Sequence, residues 1–423
     1  MSMTSAPKTI YIPYMADHCY VLAAAIAANG QPAEVLPRPN EETLAIGLSF
    51  CRGRECSPCL SVSGDVVHLT RRPGFDPEEA VIFLPTTTGS CRFGQYTVLM
   101  RQILDQMGLQ QTKIIGPSAN NSYQDLGDDP VRMRRLLWEG MVAVDILQKL
   151  LHRYRPYEQR IGETDRIYQV CLEQVVAATR AGGGKELVRA MRVVGPQFAG
   201  LPNGQGQRRP MIGVVGEIYL RHNTVSNLNI IRRIEALGGE ADLATMMEWI
   251  YYTNWDHASN SWVLGQPVEW LKTVATDRYQ RILERRLVGP VAHLLDHPYE
   301  TSAARLMRHI RPYFSPVLAN ECLLSMGKMV ELKGLGICGM INVMPFSCMP
   351  GIIMAGMAPR LRADLGNLPW LDIAFDAQGG TNITTRLEAF VYQAAEFQRR
   401  GPDGGYDNAG GKHAGPGRSA ANS

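Results

Sequence analysis

Residues 80–107 read AVIFLPTTTGSCRFGQYTVLMRQILDQM, and this stretch decides the fold. Ala80 to Pro85 is a short continuous apolar run, TTTGS is a turn, and Phe93 to Met107 carries helical spacing. A short buried strand followed by a turn and a helix is the repeating unit of a parallel α/β sheet. The same unit recurs on both sides. Upstream, Lys8 to Met15 is a β-branched and aromatic run, and the Ala-rich segment Ala16 to Asn29 closes on Gly30, as a helix with its C-terminal cap would. Downstream, Lys113 to Gly116 is a third strand candidate that ends in the polar turn PSANNSY.

From Pro130 to about Val194 the pattern is helical, with Leu136, Leu137, Met141, Val144, Leu147 and Leu151 at helix spacing. Gly195 to Pro210 is rich in Gly, Pro and Gln, and a domain boundary is placed there. The alternation then restarts at Met211 (MIGVVGEIYL), with a helix from about Ser226 to Leu237 and a largely helical stretch from Gln266 to Lys333. Gly336 to Val343 is a strand, Gly351 to Leu365 a helix, Trp370 to Phe375 a strand and Thr384 to Arg399 a last helix. The expectation is an α/β protein with two parallel-sheet domains: 1–205 with a helical extension, and 206–400. The Gly-, Ala-, Asn- and Ser-rich residues 401–423 are expected to form a disordered tail.

Of 423 residues, 43 are basic and 40 acidic, and a net charge of +3 gives no electrostatic footprint for nucleic acid or an anionic membrane. Gly334 to Pro359 contains no charged residue, but Asn342, Pro345, Ser347, Cys348 and Pro350 interrupt it, which a spanning helix would not tolerate. The N-terminus lacks the apolar core of a signal peptide, so a cytoplasmic location is expected.

Nine cysteines argue for thiols that are buried, catalytic or metal-bound rather than for a disulfide framework. Their placement is informative. CRGRECSPCL sets Cys51, Cys56 and Cys59 in a C-x4-C-x2-C run, read as a single loop, in which Arg52 and Arg54 would favour thiolates, and Arg54 and Arg92 would tune the charge of a bound cluster. With Cys91 these reproduce the order of plant-type ferredoxin ligands, although the surroundings lack that fold's β-rich character. A structural zinc site is the alternative metal reading. Cys19, Cys91 and Cys348 each follow the carboxyl end of an expected strand, where open α/β sheets bind ligands. A site of Cys56, Cys59, Cys91 and Cys348 would draw on both halves of the chain and lie between them. Cys51 and Cys338 are reserve ligands, and Cys171 and Cys322, on helical segments, are read as core.

Other patterns carry less. His293 and His297 in HLLDH lack a zincin glutamate, and AGGGK at 181–185 follows a helix and precedes Glu186 rather than Ser or Thr. No nucleotide is therefore expected on this chain. The Met and aromatic residues of MMEWIYYTNW are read as core.

Taken together, GRECSPC, PTTTGSCRFGQY, IGVVGEIYLRHN, EWIYYTN, INVMPFSCMPG and TRLEAF resemble the iron–sulfur proteins related to 2-hydroxyacyl-CoA dehydratase components. The likeness is strongest to the dehydratase-like part of proteins in which such a module is fused to an ATP-dependent activase. It spans Ile10 to Phe397. The resemblance implies Rossmann- or flavodoxin-like domains and a [4Fe-4S] cluster, or a double-cubane [8Fe-9S] cluster, at their interface. It further implies a separate activase with its own [4Fe-4S] cluster as electron donor, and either a second dehydratase-like subunit or a homodimer. The function so implied is reductive chemistry of the dehydratase type, or reduction of a small substrate. The rival expectation is an electron carrier or assembly component whose cluster is fully ligated by cysteine.

Overall fold

A computed structural model describes residues 8–52, 55–87, 91–116, 129–204, 208–315, 321–376 and 382–400. The residues expected to form the tail, 401–423, lie outside these, as do Arg54 and the turn at 117–123. The first half runs β1 (Thr9–Ile12), α1 (His18–Ala28), β2 (Ala33–Val35), α2 (Glu41–Phe50), α3 (Ser57–Thr70), β3 (Ala80–Phe83), α4 (Tyr96–Gln106) and β4 (Lys113–Ile115). Three helices follow: α5 (Pro130–Tyr154), α6 (Glu163–Arg180) and α7 (Lys185–Ala199). The second half is β5 (Met211–Gly216), α8 (Ile218–His222), α9 (Ile230–Ala236), β6 (Glu240–Leu243), α10 (Met246–Val263) and α11 (Pro267–Val288). It closes with α12 (Ala303–Ile310), α13 (Glu321–Gly334), β7 (Gly339–Pro345), α14 (Met349–Asp364), β8 (Trp370–Phe375) and α15 (Ile383–Arg400).

The strands make two four-stranded parallel sheets of the same topology, ordered β2-β1-β3-β4 and β6-β5-β7-β8. In each, the chain leaves the central pair in opposite directions, so β1/β3 and β5/β7 flank a topological switch point. Period-2 alternation divides the first sheet's apolar side chains between two helical layers. Ile10, Ile12, Val81 and Phe83 pack with Leu22, Ile26 and Met133, while Ile82 and Leu84 pack with Val66, Leu69, Met100 and Leu104. In the second sheet Ile212, Val214, Ile341 and Val343 face α9 and α15, and Val215 and Met340 face α12–α14.

The helical segment has a wider role than an extension of the first domain. Helices α5, α6 and α7 share one buried core with Val21 of α1 and with Met247, Tyr251, Leu283 and Leu287 of α10 and α11. Polar contacts reinforce that joint. Asp145 accepts from the Met246 and Met247 amides at 3.1 and 2.8 Å and lies 3.0 Å from His18 Nε2, and Arg155 donates twice to Glu235 at 2.7 and 2.8 Å. Helix α7 also continues through Gly195 and Pro196 to Ala199, past the expected start of the boundary segment. Among the described residues no helix is long and apolar enough to cross a membrane.

Candidate functional site

The carboxyl ends of the switch-point strands lead to the chemistry. After β3 the chain reaches Cys91, which occupies the N-cap of the 3-10 turn Arg92–Gln95. After β7 it reaches Cys348, the N-cap of α14. Cys56 is the N-cap of α3, between β2 and β3. Ser, Thr, Asp or Asn normally fill such positions and accept from the helix amides, and here the amides of Cys59, Phe93 and Gly351 act on the sulfurs of Cys56, Cys91 and Cys348 in the same way, lowering each thiol's pKa against the rise from burial. Three cysteines therefore stand at helix starts with first-turn amides directed at their sulfurs.

Local sequence explains each placement. Pro58 and Pro350 occupy the first turns of α3 and α14, where a missing N–H costs nothing. Strand β7 ends on Pro345, whose carbonyl accepts the Cys348 amide at 3.0 Å, and Ser347 takes a left-handed φ of 60° to make the turn. Cys348 thus follows the carboxyl end of β7, the strand-end position expected for it. Glycine is required at 216, where φ is +115° and a Cβ would lie 2.0 Å from the Val343 carbonyl oxygen.

Residues next to the cysteines join the two halves. Arg92 Nη1 donates to Ser347 Oγ at 3.3 Å, and Ser57 Oγ to the Phe375 carbonyl at 3.5 Å. Two carboxylates face the same space. Glu217, just beyond β5, caps α8 by accepting from the Tyr219 and Leu220 amides at 3.0 and 2.8 Å. Glu321 opens α13, and its Oε1 is buried with no hydrogen-bond partner. Burial first, and then Glu217, push Glu321 up to about 8. Burial raises Cys348 to about 12, with Glu217, Glu321 and Cys91 adding to the rise. Cys56 is raised by burial, opposed by the Tyr96 hydroxyl 2.7 Å from its sulfur and by the Arg92 charge. Thus Cys91 feels Cys56, Cys348 feels Cys91 and all three feel Glu217, and neutral thiols are favoured until a cation arrives.

Of the remaining expected ligands, Cys59 acts on Cys56 and Tyr96 as well as on Cys51, while Cys51 and Cys338 stand apart from the group. Cys51 and Cys59 do not share a loop: Cys51 is the C-cap of α2 and Cys59 lies within α3. Both are buried and hydrogen-bond to each other, which draws Cys51 down and Cys59 up. Cys338 precedes β7 at the amino end, opposite Cys348, and is packed with Ile212, Ile341 and Phe390. Cys19 is buried in the first turn of α1, and its sulfur accepts the Met15 amide at 3.4 Å. Cys171 and Cys322 are buried in helices. Arg92 sits at the site, and Arg54 is outside the described residues.

Among the described residues, no three His, Cys, Asp or Glu side chains close on a single metal ion. The donor chemistry of Cys56, Cys91 and Cys348 still fits a thiophilic cluster, which presents several irons to its ligands. The mouth beside Cys348 is apolar, with Phe346, Met349 and Ile352 exposed. Sequence reasoning missed Glu217, Glu321 and Tyr96. Glu217 was accessible, since a carboxylate that directly follows the apolar run MIGVVG occupies the same strand-end position as the cysteines. No protein-family model matches the chain, and no curated protein matches it.

Proposed function

We propose that this chain is an iron–sulfur protein that accepts low-potential electrons from a separate ATP-dependent activase and uses them reductively, in the manner of 2-hydroxyacyl-CoA dehydratase components or double-cubane reductases. One observation carries the reading: Cys56, Cys91 and Cys348 are N-cap residues grouped where both parallel sheets meet. These three residues would hold the cluster, a [4Fe-4S] or double-cubane [8Fe-9S] centre, and the helix starts would stabilise their thiolates. When bound, such a cluster supplies one-electron reduction and, with three cysteines per cubane, an iron open to substrate. Cys59, one turn beyond Cys56, is the fourth cysteine that would close that iron in a carrier.

The protein's own residues set the surroundings. Arg92 offsets thiolate charge, Tyr96 holds a hydrogen bond with Cys56, and Glu217 and Glu321 place two proton-carrying groups at the same cleft. Burial keeps both carboxyls above their usual range, so Glu321 retains a proton near neutral pH that it can release to a reduced substrate. The test is anaerobic purification with iron and sulfide analysis and EPR, before and after addition of an activase and ATP. A brown protein reduced only when the activase turns over ATP supports the reading. Stoichiometric zinc without iron, from iron-replete anaerobic cells, overturns it.

A further inference from the structure

The edge strand of the second sheet turns a carboxylate inward. In β6 the alternation of side chains sends Ala241 and Leu243 into the core shared with α9 and α15, so Asp242 points to the opposite face, where Lys149 of α5 and Lys328 of α13 lie. On that face is a cavity of about 370 Å³, within the roughly 300–1,000 Å³ of small-molecule sites. It extends to Met211 at the start of β5 and to Gly334 and Leu335 ahead of β7, whereas Cys348 follows the carboxyl end of β7. The cavity and the cysteine cleft are therefore at different ends of the sheet.

The carboxylates of the wall are paired, save one. Lys149 Nζ lies 2.5 Å from Glu300 and donates to the His297 carbonyl at 3.3 Å, and Lys328 sits 3.2–3.3 Å from Glu248, Glu300 and Glu331. Arg153 is shared by Glu240 and Asp296 at 3.6 and 3.4 Å. Asp242 has no hydrogen bond or ion pair among the described residues. Burial raises its carboxyl above the usual range; Lys328, Lys149 and His297 oppose the rise only through space, and Glu300 adds to it. A carboxylate withdrawn from water without a donor is costly, and a donor supplied by a ligand removes that cost.

The surroundings select the ligand. A metal ion needs several converging donors, and among the described residues no three His, Cys, Asp or Glu side chains supply them. An anion is disfavoured, because five carboxylates line the cavity against four Lys and Arg side chains, and Arg305, one of the four, is exposed on α12. A short alkyl ammonium suits both features: its N–H groups can donate to Asp242, and its chain can lie against Met211, Leu295, Leu332 and Leu335. We propose that this cavity binds a small primary amine, with the ammonium group held by Asp242. The proposal is independent of the cluster reading, since none of the cysteines lines the cavity.

Titration calorimetry of the full chain at pH 8, with n-butylammonium chloride as the probe, tests it. Saturable binding is expected, while 1-butanol, which has the same chain without the charge, and potassium chloride, which has the charge without the chain, should each bind at least about ten-fold more weakly. Asp242→Asn keeps the shape of the side chain and should weaken the amine by at least about ten-fold, with urea unfolding to confirm that the variant folds. No saturable binding of the amine to the wild type overturns the proposal and leaves Asp242 as an inward charge that guards the sheet edge against pairing. Equal binding of 1-butanol or of potassium overturns the amine assignment, a comparison that needs only the wild type. Undiminished binding to folded Asp242→Asn overturns the placement on Asp242.

Discussion

Replacing Asp65 by Asn should stabilise the protein, and increasingly so as the pH rises. Asp65 lies on α3, the helix that starts at Cys56, and is 4% exposed. Burial raises its carboxyl to about 7, against a weak opposing contact with Thr43. The native state thus holds a proton that the unfolded chain releases near pH 3.8. A carboxyl raised in this way contributes its stability in full below the unfolded pKa and loses it as the pH climbs through the folded one. At 1.36 kcal/mol per unit, the loss between about pH 4 and 7 approaches ~4 kcal/mol. Asn keeps the neutral shape throughout. Urea unfolding of wild type and Asp65→Asn should therefore coincide at about pH 4 and diverge by up to ~4 kcal/mol above pH 7. A difference that does not change with pH, or one that grows on acidification, would refute the reasoning.

Other perturbations test the scaffold. Lys328 is buried within 3.2–3.3 Å of Glu248, Glu300 and Glu331, so Lys328→Met leaves carboxylates without their cation. Its cost should be about 3–5 kcal/mol at pH 8 and should shrink toward pH 5 as Glu248, raised by burial to about 7, takes up a proton. Chemical denaturation at the two pH values checks this. Gly64→Ala puts a Cβ 1.8 Å from the Thr43 carbonyl oxygen and must part α2 from α3, at about 1–3 kcal/mol in the same assay. Cys171→Ser, in a wholly buried helical position, should lower the unfolding midpoint and leave iron content unchanged.

The sequence revealed the parts whose signal is local. β8 was read at its observed bounds, and Pro345, Cys348 and Pro350 announced a strand, a turn and a helix start within a dozen residues. Elements without a periodic or apolar signature escaped. β2 is three residues with Glu34 at its centre, and α3 opens among the Gly, Pro and Arg residues that suggest a loop. Helix α2 did have a readable start, because Asn40 and Thr43 form a reciprocal capping box at 2.9 and 3.0 Å. The C-x4-C-x2-C run spans two helices and not one loop, with Cys51 ending α2 and Cys59 inside α3. Cys59 follows Cys56 by three residues, so it shares a face of α3 with it and pairs with Cys51 while still acting on Cys56. Glu321 and Tyr96 join the site only through tertiary packing, and no spacing in the chain encodes that meeting.

The most direct test of the central claim is the iron and acid-labile sulfide content, with the EPR spectrum, of anaerobically purified single Cys→Ser variants. Cys56→Ser, Cys91→Ser and Cys348→Ser should each lose the cluster, although Cys348 lies almost 300 residues from Cys56. Cys51→Ser and Cys338→Ser should retain it. Normal iron and an unchanged spectrum in Cys348→Ser would contradict the account and confine the site to the first half of the chain.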